Sequence, residues 1–206
     1  MNQVILNTAY FPPVQFFGKL KKYRNVLIEQ WEHYEKQSYR NRCIIMTANG
    51  IMQLTVPIRK PDTDNFFTKD TEIDYSTNWQ KIHFKAIESA YKRSPFYDYY
   101  IEDFMPFFTD KEKYLLTLND KIIKKLVELI GLDVEISYSK DFIKQSEDYL
   151  DLRNVIHPKK SRRIAEDNDS IYKPYYQTFN DRYTFVPNLS VLDLLFNMGP
   201  ETADYL

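Results

Sequence analysis

Two arginines stand two positions apart in a short polar segment, and they are the strongest candidates in the chain for binding an anion. The segment contains Arg40, Asn41 and Arg42, all three of which are candidates for binding the substrate or an anion. A guanidinium group can hold a carboxylate or a phosphate through two parallel N–H···O bonds. If the segment is a strand, alternate residues share a face, so Arg40 and Arg42 would hold one anion while Asn41 points the other way. The alternative is a solvated strand edge whose charges deter aggregation.

His83 is the best single candidate for acid–base chemistry. The spacing of His83 relative to Trp79, Ile82 and Tyr91 is helical. A helix would therefore place His83 on a buried stripe. The surroundings of a partly buried imidazole can tune its protonation near neutral pH. The alternative is a core histidine that bonds to a backbone carbonyl.

Other polar groups match known chemistry less well. Glu29, Glu32 and His33 lie close together, but their spacing fits no metal-ligand template, so we expect no metal site. Ser190 and Asp193 are explained by a helix capping box. Because no Gly-x-Ser-x-Gly turn surrounds Ser190, a serine triad with a histidine is rejected.

The elements that would position these residues begin with a βαβ unit. Residues 4–8 and residues 26–29 are apolar runs, separated by an aromatic and proline-rich loop and a helical pattern in which Pro13 suits the first turn. Strands joined in this way are parallel, and the loop after the first strand lies at the carboxyl edge of the sheet, where ligands bind. Tyr10 lies in that loop and would form one wall of a site. The sequence has no Gly-x-Gly-x-x-Gly dinucleotide fingerprint.

A β-hairpin is predicted around Asn49 and Gly50. The runs 43–47 and 51–56 on either side are rich in β-branched and apolar residues. Asn-Gly favours a two-residue type I′ turn, which needs positive φ at both central positions.

Helices and one loop complete the predicted elements. Helical patterns extend from Asn78 to about Ser94, over residues 97–108, from Leu115 to a stop at Gly131, and from Ser190 to Gly199, the last apolar on all faces and therefore buried. Residues 141–170 mix blocks of opposite charge with few apolar side chains, and we expect a mobile loop there in which His157 is solvated.

Composition limits the classes of function. A chain of 206 residues with 43% hydrophobic residues suits one domain, 1–206. A net charge of −1 argues against nucleic acid as a partner. The single Cys43 excludes an intramolecular disulfide. The sequence contains no apolar run long enough to span a membrane and no signal peptide, so we expect a cytoplasmic location.

Aromatic residues are unusually abundant, with 17 Tyr and 14 Phe. Amphipathic rings are typical of ring-lined cavities and interfaces. The alternative is that tyrosine replaces other apolar residues in the core.

Several stretches, in the same order along nearly the whole chain, resemble the bacterial WbqC-like family. They are Thr8-Ala9-Tyr10-Phe11-Pro12-Pro13 with Phe16-Phe17, the hairpin segment 34–57, Trp79 with His83 and Tyr91-Lys92-Arg93-Ser94-Pro95, Tyr175-Tyr176-Gln177-Thr178-Phe179, and residues 185–199. One departure is that the family's opening usually carries Gln-Pro where this chain has Asn7-Thr8.

The βαβ spacing, together with the resemblance, predicts a mixed α/β fold, with a small, partly parallel sheet that opens with the βαβ unit, an inserted β-hairpin and flanking helices. The family is associated with O-antigen and other surface-polysaccharide gene clusters, and an acyl- or glycyl-transfer role has been suggested for it. The resemblance therefore implies a cytoplasmic transferase that acts on a nucleotide sugar or an activated acyl or aminoacyl donor, without a cofactor. It also adds Tyr91 and Gln177 to the candidate substrate-binding residues.

Residues and resemblance together predict one cleft lined by Tyr10, Arg40, Arg42 and His83, with His83 as general base. The alternative function is a non-enzymatic binding or assembly protein that engages a partner through an aromatic surface. Convergence of the four side chains in a concave pocket would favour the enzyme, and dispersal over a flat face would favour the partner surface.

Overall fold

The computed structural model describes residues 3–59, 66–144, 149–159 and 172–206. The strands are β1 (Gln3–Asn7), β2 (Asn25–Glu29), β3 (Arg42–Thr47), β4 (Gly50–Thr55), β5 (Glu135–Tyr138) and β6 (Leu150–Asp151). The helices are α1 (Val14–Lys22), α2 (Trp79–Tyr91), α3 (Tyr97–Thr109), α4 (Leu115–Ile130) and α5 (Val191–Met198). Short 3-10 helices cover Tyr39–Asn41, Thr68–Asp70 and Gly199–Tyr205. The chain is therefore a mixed α/β protein, as the sequence predicts.

The main sheet is parallel and has the order β5-β2-β1-β6. β1 pairs with β2 in parallel, with Val4 opposite Val26, which confirms the predicted βαβ unit. β2 also pairs with β5, and β1 pairs with β6, both in parallel. Val4, Ile5 and Leu6 are all buried, as expected for a parallel strand covered on both faces.

The predicted hairpin is present, but its turn is shifted by one residue. β3 pairs with β4 in an antiparallel register that places Thr47 opposite Gly50, so Ala48 and Asn49 form the loop. The predicted type I′ turn at Asn49-Gly50 is wrong, because Asn49 lacks positive φ, whereas Gly50 has φ 102°. The Thr47 hydroxyl accepts from the Asn49 amide and donates to the Gly50 carbonyl, which favours this register.

Helix α3 packs against both α2 and α4, and α2 packs against β3 of the hairpin. α2 buries Trp79, His83 and Tyr91 as its helical spacing predicts, but Ile82 is 62% exposed, so the predicted stripe is narrower than expected. Gly131 ends α4 with φ 75° and donates to two carbonyls of its last turn, which confirms the predicted stop.

α5 is buried on almost every side, as its apolar pattern predicts. The Ser190 hydroxyl accepts from the Leu192 amide as N-cap and also donates to the Phe11 carbonyl. Because Asp193 lies on the buried helix rather than bonding back to the Ser190 amide, only half of the predicted capping box forms.

The predicted loop at 141–170 lies partly outside the described residues, which omit 145–148 and 160–171. Its described parts are 141–144 and 149–159, and the second contains β6 and buries Leu152 and Ile156. A two-residue strand gives no periodic signal in the sequence, so composition alone did not predict β6.

Many of the aromatic residues lie in the core. Tyr10, Tyr91, Phe11, Phe16 and Phe17 are among the largest fully buried side chains. Many of these rings meet edge to face or stacked, the geometries that aromatic pairs prefer.

Candidate functional site

A crevice opens at the carboxyl edge of the parallel sheet, between β1 and β6. The chain builds β1, β2 and β5 in one direction and then returns to add β6 on the other side of β1, so the strand order reverses at this place. Ligands of open α/β sheets bind where the strand order reverses. The crevice has an interior of about 10 Å³ and is lined on its polar side by Asn7, Thr8, Arg40 and Arg153, among other residues.

Arg153 forms one wall of this crevice. Its Nε and Nη2 donate to the two carboxylate oxygens of Asp151, at 2.9 and 2.5 Å. Its Nη1 donates to the Ile143 carbonyl at 2.9 Å and lies 3.4 Å from Glu29 Oε2. These bonds hold a buried guanidinium group in one orientation beside the sheet edge.

Glu29, at the end of β2, is completely buried and fully bonded. Its Oε1 accepts from the Trp31 amide and the Ser139 hydroxyl, and its Oε2 accepts from the Ile143 amide and from Arg153. A buried carboxylate with this many donors is stable only because the donors replace its lost hydration.

Arg40 is the second guanidinium in the crevice. Its Nε donates to Glu32 Oε1 at 2.8 Å, its Nη2 lies 2.7 Å from Glu32 Oε2, and its Nη1 lies 3.3 Å from Glu35 Oε2. Arg40 and Asn41 belong to the 3-10 helix, so the alternation of a strand does not apply to them. The predicted sharing of one face by Arg40 and Arg42 is therefore wrong.

The two arginines are coupled through Glu32. Burial raises the pKa of Glu32, and Arg40 and Arg153 both oppose that rise. Burial also acts to raise the pKa of Asp151, but the hydrogen bonds from Arg153 outweigh it and the pKa is lowered. The result is one buried network of guanidinium and carboxylate groups behind the crevice.

His157 is buried in this network, so its predicted solvation is wrong. Its Nδ1 accepts from the Lys159 amide, and its Nε2 lies 3.6 Å from Glu35 Oε1. Packing of 149–159 against the segment that carries Glu35 excludes solvent from a residue that composition alone assigns to a charged loop.

Tyr10 and His83 meet in the core rather than in the crevice. The Tyr10 hydroxyl lies 3.0 Å from His83 Nδ1, and both residues are buried. Burial lowers the pKa of His83 to about 4, and a hydrogen bond to the Thr55 backbone opposes this only in part. Both ring nitrogens of this neutral imidazole are engaged, which favours a structural role. The role of His83 as general base stays a prediction.

Arg42 and Asn41 face other surroundings. Arg42 Nη1 donates to Gln53 Oε1 on β4, at 3.1 Å, and Asn41 Nδ2 donates to the Val56 carbonyl. Burial raises the pKa of Tyr34 to about 12, and the positive charges of Arg40 and Arg42 act to lower it. The four residues of the predicted cleft are therefore divided, with Arg40 in the crevice, Tyr10 and His83 in the core and Arg42 on the hairpin.

Tyr91 and Gln177 lie beside a buried carboxyl group, Asp193. Tyr175 Oη and Gln177 Nε2 donate to Asp193 Oδ2 at 2.8 and 3.1 Å. Burial raises the pKa of Asp193 to about 6, and hydrogen bonds from Tyr175, Tyr91 and Gln177 oppose the rise. This cluster ties the segment before α5 to the core, and a substrate-binding role for Tyr91 and Gln177 stays a prediction.

The N-terminus of α1 is closed by the protein itself. The Val14 amide donates to the Leu189 carbonyl and the Gln15 amide donates to Asn188 Oδ1, both at 2.9 Å. These are the groups that bind phosphate in nucleotide-binding α/β folds. Here they are occupied, in agreement with the missing glycine fingerprint.

Sequence reasoning missed Arg153 and Asp151 as site residues and considered Glu29 only as a possible metal ligand. The signal that could have found them is the Asp-x-Arg spacing of Asp151 and Arg153 after a short apolar pair, but a charged block surrounds it. In the described ranges, no His, Cys, Asp and Glu side chains form a group of three or more that could hold a metal ion. No helix in the described part of the chain is long and apolar enough to cross a membrane.

The fold and crevice define an α/β chain with a polar pocket where the strand order reverses. A model of the WbqC-like protein family matches residues 8–205, so the chain belongs to this family. It is also 24% identical over 227 aligned positions to the uncharacterized protein Rv1507c of Mycobacterium tuberculosis, and the alignment covers 98% of this chain and 96% of that protein. No solved structure matches the chain significantly.

Proposed function

We propose that this chain is a transferase that takes a small-molecule substrate in the crevice between β1 and β6. The observation that carries the proposal is the pair of buried arginines, Arg40 and Arg153, that line one crevice at the carboxyl edge of the sheet. Keeping two guanidinium groups out of water is costly unless carboxylates compensate them. Here Glu32 and Asp151 compensate the two groups, and the crevice that they line lies where open α/β sheets bind ligands.

The substrate class follows from the family resemblance. Within the WbqC-like family, the association with surface-polysaccharide genes supports a cytoplasmic role in O-antigen-type biosynthesis, with a nucleotide sugar or an activated acyl or aminoacyl group as donor. Transfer to an amine or hydroxyl needs a proton acceptor. Glu32, which is bonded to Arg40 of the crevice wall, is the candidate, because burial raises its pKa.

A thermal-shift experiment with UDP-glucose, acetyl-coenzyme A and a non-hydrolysable aminoacyl-adenylate tests the proposal. Binding to the native state stabilises it by mass action, by about 2.7 kcal/mol at a hundredfold excess over Kd. At least one ligand class should raise the Tm of the wild type, and Arg153→Gln should reduce that shift.

The matched control is Arg24→Gln. Arg24 precedes β2 at the opposite edge of the sheet and pairs with Asp133, and both side chains are largely exposed. It should retain the ligand-dependent shift. Equal shifts in both variants, or no shift with any ligand class, would contradict the proposal.

The alternative is a binding or assembly protein without catalytic activity, and exposed rings favour it. Tyr99 is 81% exposed, and Phe142 and Tyr176 are more than half exposed. Tyr99 lies on α3, Phe142 follows β5, and Tyr176 precedes α5. If Tyr99→Ser abolishes binding to a protein partner while crevice variants do not, this alternative is the correct one.

A further inference from the structure

We infer that two copies of this chain associate through β4, whose outer edge pairs in antiparallel fashion with the same edge of the second copy. The hairpin is a sheet of two strands only. A strand edge with unpaired backbone groups is a template for another strand. The residues that line the crevice do not include any of the hairpin, so the inference does not depend on the proposed function.

The register of the hairpin decides which backbone groups of β4 point outward. The Val56 amide donates to the Asn41 carbonyl across the hairpin. Residues that alternate with Val56 along β4 therefore point their backbone groups away from β3, and these include Ile51 and Gln53. In the part of the chain that the structure describes, the outward N–H and C=O groups of Ile51 and Gln53 have no hydrogen-bond partner.

The outer edge of β3, by contrast, is bonded to the rest of the chain. The Ser190 amide donates to the Ile44 carbonyl at 2.7 Å. The Met46 amide donates to the Tyr91 hydroxyl at 3.4 Å. The hairpin therefore has one covered edge and one edge that is free to accept another strand.

Exposed apolar side chains flank the free edge. Among the described residues, six large apolar side chains are exposed, and three of them are Ile51 at 61%, Met52 at 41% and Ile82 at 62%. Ile82 directly precedes His83, which bonds to the Thr55 backbone at the end of β4. Apolar side chains that are exposed together are typical of an interaction surface.

A second copy fits this edge because a two-fold axis at Met52 satisfies both residues with unpaired groups. In that register, Ile51 of each copy lies opposite Gln53 of the other, and each of these pairs exchanges both of its N–H···O bonds. Met52 then faces its own copy across the axis. The edge is therefore self-complementary, as the interface of a two-fold dimer must be.

The distribution of charge also fits a second copy, because a two-fold axis brings like charges together. β4 has no Lys, Arg, Asp or Glu, although charged residues are a usual means of blocking strand edges. Arg42 is the only charged residue in the range 42–55 and lies on β3, opposite Thr55. The two copies of Arg42 would be more than roughly 10 Å apart, beyond the screening length of about 8 Å at physiological ionic strength.

The test is analytical ultracentrifugation of the full chain over a range of concentrations. We expect a wild-type dimer, and Met52→Lys should raise the Kd of this dimer at least about tenfold because two ammonium groups would meet at the axis. Tyr99→Lys is the matched control, since it puts the same charge in place of an exposed ring on α3, and it should leave the Kd unchanged. Met52→Glu should also weaken the dimer, and a mixture of Met52→Lys and Met52→Glu should restore it.

A cysteine at the axis tests the register. Opposite residues of a non-hydrogen-bonded antiparallel pair have Cα atoms about 4.5 Å apart, within the range that a disulfide spans. Met52→Cys should therefore form a disulfide between two copies under mild oxidation, whereas Tyr99→Cys should not, and the native Cys43 is buried.

A wild type that remains monomeric at every concentration would overturn the inference and leave the edge to an extended strand of a different protein. A dimer that Met52→Lys does not weaken would also overturn it, because another surface would then hold the two copies together.

Discussion

Arg153 forms an ion pair with Glu29 although Glu29 is fully buried at the end of β2. The pair reaches across the edge of the sheet from the β6 segment to β2, past the end of β1 that lies between them. It therefore fixes the segment after β6 against the rest of the sheet and orients one wall of the crevice. Its members have a structural role, and Arg153 also lines the crevice.

Glu29→Gln should destabilise the fold much more than Glu35→Gln. The substitution turns one of two fully bonded oxygens into a donor, so buried partners such as Ser139 or Ile143 lose an acceptor, at a cost of about 1–3 kcal/mol. Glu35 is about one-third exposed, and its loss should cost at most about 1 kcal/mol. Urea unfolding of both variants measures the difference, and equal costs would contradict the role of the buried pair.

His83 should remain neutral far below the usual range of an imidazole. Burial lowers its pKa to about 4, so the native state binds a proton less readily than the unfolded chain. Its contribution to stability is therefore lost as the pH falls from about 6.5 to about 4. NMR titration of the imidazole signals, assigned with His83→Gln, measures the midpoint. A midpoint near 6.5 would restore His83 as an accessible acid–base group.

Asp193 should have the opposite pH dependence. Burial raises its pKa to about 6 from an ordinary 3.8, so the native state holds the proton more tightly than the unfolded chain. The free energy of unfolding should therefore fall as pH rises from about 4 to about 6 through this group. Asp193→Asn removes this contribution, and the comparison with wild type isolates it from other groups. A stability difference that stays constant over this pH range would contradict the assignment.

Two glycines should respond oppositely to alanine. A Cβ on Gly199, where φ is 55°, would come 2.5 Å from the Phe96 ring, whereas a Cβ on Gly18 in α1 would meet nothing within 4 Å. Gly199→Ala should destabilise by about 1–3 kcal/mol, and Gly18→Ala should stabilise by about 0.5–1 kcal/mol. Thermal unfolding of the two variants checks both signs. Stabilisation by Gly199→Ala would show that the turn after α5 readily adapts.

Local signals in the sequence predict much of the fold. The apolar runs around Pro13 predict the parallel pair β1 and β2, and Gly131 predicts the end of α4. The hairpin is also predicted, but its turn depends on which residue takes positive φ. The Thr47 hydroxyl bonds favour Gly50 alone, a choice that the Asn-Gly dipeptide does not reveal.

The site depends on contacts between distant residues, and this limits its prediction. Glu29 and Arg153 are separated by 124 positions, so no spacing rule relates them. The burial of His157 depends on the pairing of β6 with β1. A two-residue strand has no sequence periodicity from which this pairing could be predicted. The residue type of Arg40 makes it a candidate from the sequence alone. Its pairing with the carboxylates of Glu32 and Glu35 is apparent only in the folded chain.

The most direct test of the crevice as the ligand site is a map of amide chemical shifts in the ¹⁵N-labelled protein. UDP-glucose, acetyl-coenzyme A and acetate would each be titrated into it. The proposed site predicts saturable shifts, with at least one of these ligands, that are largest at residues 7–9 and at Leu152 and Arg153, which line the crevice. Saturable shifts confined to α2 and the β3–β4 hairpin, with residues 7–9 and Arg153 unchanged, would contradict it.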